Sequence, residues 1–343
     1  MTDILPISFG IALVIIFFEK TFKSFFGRNL RKSPQTLHNK SISRFGGLAV
    51  FFSLIIVVFI DGDQNYSFLK TALFCSIPIF ILGIFDDFNI RIKPIFRLLL
   101  ALPSAYLVYH YLGIQAYGLD LPYIDEIFKI DLFAIIFICL ALAGIINAFN
   151  MIDGINGLVL LYVMAICVTN VLFSYNRFDP SINLASVALF FSCLGIFILN
   201  FPFGRIFLGD GGAYFLGLVV ACIVIKNYQI NALSPWYVFC IFIYPITDTL
   251  VTVSRRIYTN LSALEPDNRH LHHLIYKKIS KTFIRSEKKK HALTTIGIFI
   301  FYAPFLILAN FFAAQTYVLM FVSFIFIMFY LLLYILLTPK DFS

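Results

Sequence analysis

Residues 130–148 read IDLFAIIFICLALAGIINA, an apolar run interrupted only by Asp131 at its start and Asn147 near its end. A helix needs about 20 such residues to cross the hydrocarbon of a bilayer. The apolar residues are continuous rather than alternating, which selects a helix over a barrel strand, because a lipid-bound segment must satisfy its own backbone. The stretch FNMIDGINGL (149–158) follows, nearly free of charge, and a second apolar run covers 156–174.

The same reading extends over the whole chain. Apolar runs cover 4–22, 46–61, 67–85, 94–112, 130–148, 156–174, 181–200, 212–227, 235–253, 292–312 and 316–337. Pro78, Pro103, Pro245 and Pro304 interrupt some of them. Such prolines are tolerated where neighbouring helices re-satisfy the freed backbone groups. The expected fold is an all-α polytopic membrane protein of about eleven transmembrane helices, with residues 1–343 forming a single membrane domain. Composition agrees: 60% of the 343 residues are hydrophobic and only 13% charged, with a mean hydropathy of +0.91. A soluble domain cannot hide that much apolar surface.

The net charge of +8 suggests nucleic acid at first sight. Its distribution argues for membrane orientation instead. Of the 26 Lys and Arg residues, 22 fall in alternate loops (20–45, 86–97, 201–211, 254–291) and the C-terminus, leaving Lys70, Lys129, Arg177 and Lys226 on the other side. The positive-inside rule puts the first set in the cytoplasm, the N-terminus outside and the C-terminus inside. The outer loops carry Asp61, Asp63, Asp120, Asp125, Glu126, Asp131 and Asp179. Asp3 precedes the first run and Lys20 and Lys23 follow it, so the run reads as a retained helix rather than a cleaved signal. Cys75, Cys139, Cys167, Cys193, Cys222 and Cys240 all lie in apolar runs without paired spacing and read as buried thiols. The basic segment Lys277–Lys290 reads as an interfacial helix on anionic headgroups.

Four clusters on the expected cytoplasmic side could carry chemistry. Asp86 and Asp87 end the third run. Adjacent carboxylates at the edge of lipid suit a divalent cation or a general base; an ordinary solvated loop acid is the competing reading. Asn147, Asn150, Asp153 and Asn156, with Gly154 and Gly157, could hydrogen-bond a polar ligand against a close backbone, where a plain turn needs fewer polar groups. Phe207, Gly209, Asp210, Gly211 and Gly212 head a run in which Asp210 is either a helix cap or a metal ligand. His270, His272 and His273 lack zinc spacing and suit phosphate or sugar oxygens better. Arg44, Arg91, Lys93, Arg97 and Arg205 add cationic groups. The bilayer gathers these loop ends in one plane, which suits a magnesium–diphosphate site.

These residues resemble the polyprenyl-phosphate N-acetylhexosamine-1-phosphate transferases, glycosyltransferase family 4 of the MraY/WecA type. The resemblance runs through Arg31-Lys-Ser-Pro-Gln-Thr-Leu-His38 with Arg44-Phe-Gly-Gly47, then Asp86-Asp87, the Asn-x-x-Asn-x-x-Asp-Gly segment, Phe-x-Gly-Asp ending at Asp210, and His-x-His-His. The form Pro266-Asp-Asn-Arg-His-Leu-His-His273 looks closer to the branch that starts O-antigen, common antigen or teichoic acid synthesis than to the muramyl-pentapeptide branch. The resemblance implies transfer of a sugar-1-phosphate, N-acetylglucosamine by default, from a UDP-N-acetylhexosamine to undecaprenyl phosphate, with release of UMP. It implies magnesium, or manganese in its place, at Asp210. Asp86 and Asp87 match the pair that would deprotonate the lipid phosphate or help bind metal. Asn147, Asn150, Asp153, Asn156 and Phe207 match the nucleotide and sugar site, with the Phe207 ring facing uracil. His270, His272 and His273 match groups near the diphosphate and sugar. Arg44, Arg97 and Arg205 suit the anionic phosphates. The implied setting is the bacterial inner membrane with a cytoplasmic active site, membrane lipid around it, no nucleic acid, and a homodimer as an open expectation. Where the family motif commonly reads Asp-Gly-x-Asp-Gly, this chain has Asn156, which hydrogen-bonds but cannot act as a base.

Two other classes compete. A lipid-linked sugar transporter would need mid-bilayer charges, whereas Glu19, Lys70 and Asp248 lie near run ends. A CDP-alcohol phosphotransferase would need an Asp-Gly-x₂-Ala-Arg-x₈-Gly-x₃-Asp-x₃-Asp pattern, which is absent.

Overall fold

The computed structural model describes residues 3–21, 42–61, 65–88, 90, 92, 94–173, 179–260, 267–282 and 284–338. The motif at 31–38 and Lys23, Asp63, Arg91, Lys93, Arg177 and Pro266 lie outside the described residues. Every described element is a helix: α1 (Ile4–Thr21), α2 (Gly46–Asp61), α3 (Ser67–Asp87), α4 (Pro94–Leu112), α5 (Pro122–Phe128), α6 (Asp131–Ile152), α7 (Leu158–Leu172), α8 (Pro180–Asn200), α9 (Gly209–Asn231), α10 (Pro235–Ile241), α11 (Ile243–Tyr258), α12 (Leu271–Ser280), α13 (Glu287–Phe311) and α14 (Thr316–Leu337). Among the described residues seven helices are long and apolar enough to cross a membrane, and the α10–α11 pair makes an eighth if it counts as one span. Three shorter apolar helices cover Ile4–Glu19, Gly46–Ile60 and Leu158–Leu172. The chain is a multi-pass membrane protein, and each expected run carries a helix. All six cysteines are free and buried.

Helix α9 is the axis of the bundle. Of its apolar stretch 78% is buried inside the protein, against 28% in α4 and 33% in α13 and α14. A helix apolar on every side belongs in a core, while one that faces lipid does not need protein around it. Close approach at its N-terminal end depends on glycine. A Cβ on Gly83 would lie 2.3 Å from Gly211 Cα, and one on Gly47 would lie 2.4 Å from Gly212 Cα. Small residues at such crossings let backbones touch, which is the main source of packing energy in lipid.

The run 235–253 was expected as one span; the structure breaks it. Helices α10 and α11 meet at 76°. Pro245 supplies the reason, since a proline clashes with the carbonyl four residues before it, here Ile241. That freed carbonyl accepts hydrogen bonds from Tyr162 Oη at 2.6 Å and Tyr302 Oη at 2.7 Å. Other ends also differ. Helix α6 extends to Ile152, so Asn147 and Asn150 are helical rather than in a loop, and α9 starts earlier, at Gly209. The segment Lys277–Lys290 is not one interfacial helix. Lys277 and Lys278 end α12, Lys288 to Lys290 begin α13, and Tyr276 donates to Glu287 across the break. The connection after α4 carries a further short helix, α5, which no apolar run marks.

Gly83→Ala should lower the thermal unfolding midpoint of the detergent-solubilised protein, at a cost of about 1–3 kcal/mol from overpacking against a backbone. Gly297→Ala, which meets nothing within 4 Å, should leave the midpoint unchanged or raise it, since alanine is the better helix former. Equal midpoints for the two variants would contradict the close α3–α9 crossing.

Candidate active site

The first centre forms where α3 ends and α9 begins. Asp87, the last residue of α3, accepts hydrogen bonds from Asp210 N at 2.9 Å and Gly211 N at 3.0 Å. It therefore caps the N-terminus of another helix, where orphan N–H groups and the helix dipole both favour a carboxylate. Position 209 must be glycine here: its φ is +81°, and a Cβ would lie 1.9 Å from Arg44 O. The strand-like segment before α2 closes the other side, with Phe207 N donating to Ser43 O at 2.7 Å and Gly46 N to Phe207 O at 2.9 Å.

That lacing carries Arg44 over the helix end. Arg44 Nη2 donates to Asp210 Oδ1 at 3.0 Å, and its Nε lies 3.6 Å from Asp87 Oδ1. Asn150, on the last turn of α6, donates from Nδ2 to the same Asp210 Oδ1 at 3.0 Å. Asp210 keeps 16% of its side chain exposed, while Asp87 keeps none. Asp153 follows at the C-terminal cap of α6. Burial, then the charge of Asp210, pushes its carboxyl well above the usual carboxylate range, with Arg44 pulling the other way. Behind this group Asp86 is fully buried and paired with Arg97 through two contacts of 3.0 Å. Tyr214, one turn into α9, hydrogen-bonds Arg97.

The second centre is the histidine group at the start of α12. His270, His272 and His273 are all buried, not surface-exposed. His270 Nδ1 lies 2.7 Å from Asp248 Oδ2, and Thr252 Oγ1 lies 3.2 Å from the same nitrogen. Asp248 Oδ1 accepts from Leu271 N at 2.9 Å and Tyr330 Oη at 2.6 Å. The rings of His270 and His272 stack with centroids 5.4 Å apart. Burial opposes the charge on His270, but Asp248 outweighs it and raises the pKa. Burial, then His273, holds His272 well below the ordinary histidine value, and burial with the charge of His270 pushes His273 down to about 4. The two centres meet at Gly154, where a Cβ would lie 2.7 Å from His272 Nε2 and 3.1 Å from His273 Nε2.

The structure thus gathers Arg44, Asp87, Asn150, Asp153 and Asp210, backs them with Asp86 and Arg97, and sets His272 and His273 against Gly154. Other expected residues sit differently. Asn147 donates to its own helix at Ala143 O, 2.8 Å away. Asn156 is buried against α13, its carbonyl accepting from Thr295 Oγ1 at 2.7 Å, and its amide lies beside Gly204. Arg205 is exposed, with its guanidinium 5.2 Å from the Phe203 ring centroid. Phe207 is half-buried in the lacing beside Arg44. Sequence reasoning missed Asp248, read only as a charge near a span end, together with its partner Tyr330. The signal was available, since a carboxylate within an apolar run is a functional candidate by default.

Among the described residues no three His, Cys, Asp or Glu side chains form a metal-binding group. Magnesium does not require one, because it is commonly held by one or two carboxylates with substrate phosphates and water completing its shell. Asp210 fits that pattern: it is part-exposed, and both of its donors converge on Oδ1, leaving Oδ2 without a donor among the described residues.

Residues 69–228 match the Glycosyl transferase family 4 profile. That stretch includes Asp86, Asp87, Asn150, Asp153 and Asp210 and stops before the histidines. The chain is 27% identical to a probable undecaprenyl-phosphate N-acetylglucosaminyl 1-phosphate transferase of Bacillus subtilis, over 70% of this chain and 67% of that protein. It is 27% identical to the undecaprenyl-phosphate alpha-N-acetylglucosaminyl 1-phosphate transferase of Escherichia coli K12, over 85% and 84%. Similarity to a phospho-N-acetylmuramoyl-pentapeptide-transferase of Clostridium perfringens is 28% over 64% of this chain and 73% of that protein. Over residues 69–228 this chain is similar to glycosyl transferase family 4, and the matched residues Asp87, Asn150 and Asp210 meet at the α3–α9 junction.

Proposed function

We propose that this protein transfers N-acetylglucosamine-1-phosphate from UDP-N-acetylglucosamine to undecaprenyl phosphate, releasing UMP, as the first step of a cell-surface polysaccharide. The observation that carries this reading is the convergence of Arg44 and Asn150 on the part-exposed Asp210, above a helix N-terminus. All eleven apolar runs cross the bacterial inner membrane in this reading, with the N-terminus outside and both centres at the cytoplasmic face. The relatives named as N-acetylglucosaminyl 1-phosphate transferases support the donor and acceptor over the muramyl-pentapeptide alternative.

The reaction joins two anions, so charge compensation and positioning dominate. An oxygen of the lipid phosphate attacks the phosphorus bonded to the sugar, and the bond from that phosphorus to the UMP oxygen breaks. Magnesium held at Asp210 would neutralise diphosphate charge. Arg44 offers a cation at the same carboxylate and can turn toward a phosphate. Asn150 fixes the orientation of Asp210. Both oxygens of Asp87 are taken up by N–H groups of α9, and Asp86 is locked to Arg97. Neither is free to be a nucleophile or base without dismantling the helix junction, which favours direct attack over an aspartyl-phosphate route. Asp153 is the carboxyl best placed to hold a proton.

The acceptor chain has a candidate berth. An apolar cavity of about 340 Å³ lies between α6, α9 and the α10–α11 bend, lined by Gly144, Ala148, Ile225, Phe239, Phe242 and Leu250 among others. It would take one stretch of an isoprenoid chain.

Two tests follow from this reading. Asp210→Asn should insert into membranes normally yet lower UMP release by about a hundredfold or more, assayed with labelled UDP-sugars, undecaprenyl phosphate and magnesium. Full activity would remove Asp210 from the site, and UDP release in place of UMP would end the phosphate-transfer reading. A phenylalanine at Gly144, whose Cβ position has nothing within 4 Å, should fill the cavity. Gly144→Phe is expected to raise KM for undecaprenyl phosphate several-fold and leave KM for a short-chain prenyl phosphate unchanged. Equal effects on both acceptors would place the long chain elsewhere.

A further inference from the structure

Asp248 is a fully buried carboxylate on α11. Three groups bind it, two from the start of α12 and one from α14: His270 Nδ1, the Leu271 N–H and the Tyr330 hydroxyl. The clamp on Leu271 N fixes the backbone next to His270, and the contact to Nδ1 fixes the ring. A proton must lie between Nδ1 and the carboxylate at 2.7 Å, so the chemistry of His270 is left to Nε2. That atom is buried and has no hydrogen-bond partner among the described residues. A buried ring nitrogen that carries a proton and finds no acceptor is costly. An anionic oxygen reaching Nε2 would supply the acceptor.

We propose that Asp248 is a positioning residue that keeps His270 as the charged member of the histidine group, so that its Nε2–H meets a phosphate oxygen of the sugar-nucleotide donor while His272 and His273 stay neutral. This rests on the donor being a nucleoside diphosphate sugar. The three rings are not equivalent, because among the described residues only His270 touches a carboxylate. His272 Nδ1 instead faces a hydroxyl, Tyr244 Oη, at 3.5 Å. A second imidazolium against the first would be repelled at the ring separation of 5.4–5.9 Å.

The charged and titratable groups around His270 come from every neighbouring element. Helix α11 brings Asp248 and Arg255, the segment before α12 brings Asp267, α12 brings His272, His273 and Lys277, and α14 brings Tyr330 and Tyr334. Asp267 is paired with Arg255, so its field on His270 is largely offset. Among the described residues Asp248 is the carboxylate in direct contact with the ring. With it, His270 keeps its proton to higher pH than an ordinary imidazole and loses it as pH rises further. Without it, burial governs and the proton leaves at lower pH.

The test uses the full chain in detergent micelles, with histidine labelled by nitrogen-15 and His270→Gln to identify the signal. In the wild type at pH 7.5 the His270 ring should carry protons on both nitrogens, with His272 and His273 neutral. Asp248→Asn should move the His270 midpoint down by about one pH unit or more. The alkaline limb of UMP release with UDP-N-acetylglucosamine should shift by the same amount, and this shift should vanish in the His270→Gln background. A neutral His270 at pH 7.5 in the wild type would overturn the proposal, as would a uniform loss of activity at every pH in Asp248→Asn. If that variant does not accumulate, the wild-type spectrum decides alone. Failure of the wild type to turn over any UDP-sugar would count against the proposed reaction and leave the titration result standing.

Discussion

The Asp87 carboxylate ends one helix and caps the next, holding the N–H groups of Asp210 and Gly211. In lipid this contact matters more than it would in water. The first N–H groups of a helix have no partner within it, and hydrocarbon offers none. A negative group placed there also meets the positive end of the helix dipole. Asp210 can therefore stand in the first turn of the most buried helix because a second carboxylate from α3 supports the backbone beneath it. Arg44 then offsets the two negative charges from one side.

The glycine crossings serve the same junction. Gly83 against Gly211 and Gly47 against Gly212 bring three helix backbones within touching distance, and only that distance lets the Asp87 side chain reach across. Packing and site are the same contact here. A larger residue at these crossings would move Asp210 as well as loosen the bundle.

The sequence exposed the helices readily because a run of apolar residues has a single meaning in a bilayer. It exposed the order of the motifs too, since Asp86-Asp87, Asn150, Asp153 and Asp210 are all short-range patterns. It did not expose which residue touches which. Nothing in the string distinguishes Asp87, which caps a helix 123 residues away, from Asp86, which pairs with Arg97. Asn147 and Asn150 look alike in sequence, yet one bonds its own helix and the other reaches Asp210. The string also hides the partner of His270, because it lies 22 residues earlier, in an apolar run. Contacts of that kind are set by how helices pack, and periodicity within one segment does not report them.

Pro245 shows how far one residue can act through packing. By displacing the Ile241 carbonyl it bends α10 against α11, and Tyr162 and Tyr302 take up the carbonyl it frees. The bend sets the register of α11. Ile246, Thr249 and Leu250 fall on one face and line the apolar cavity, with Phe239 and Phe242 facing them from the other arm of the bend. Asp248, Thr252 and Arg255 fall about half a turn away at 100° per residue, on the face that carries α12 and its histidines. The same short helix therefore has one side suited to a hydrocarbon chain and the other committed to a buried ion pair. A straight span would keep both faces but would leave no bend for the cavity to sit in. The position of the proline thus ties the apolar cavity to the support of the histidine group.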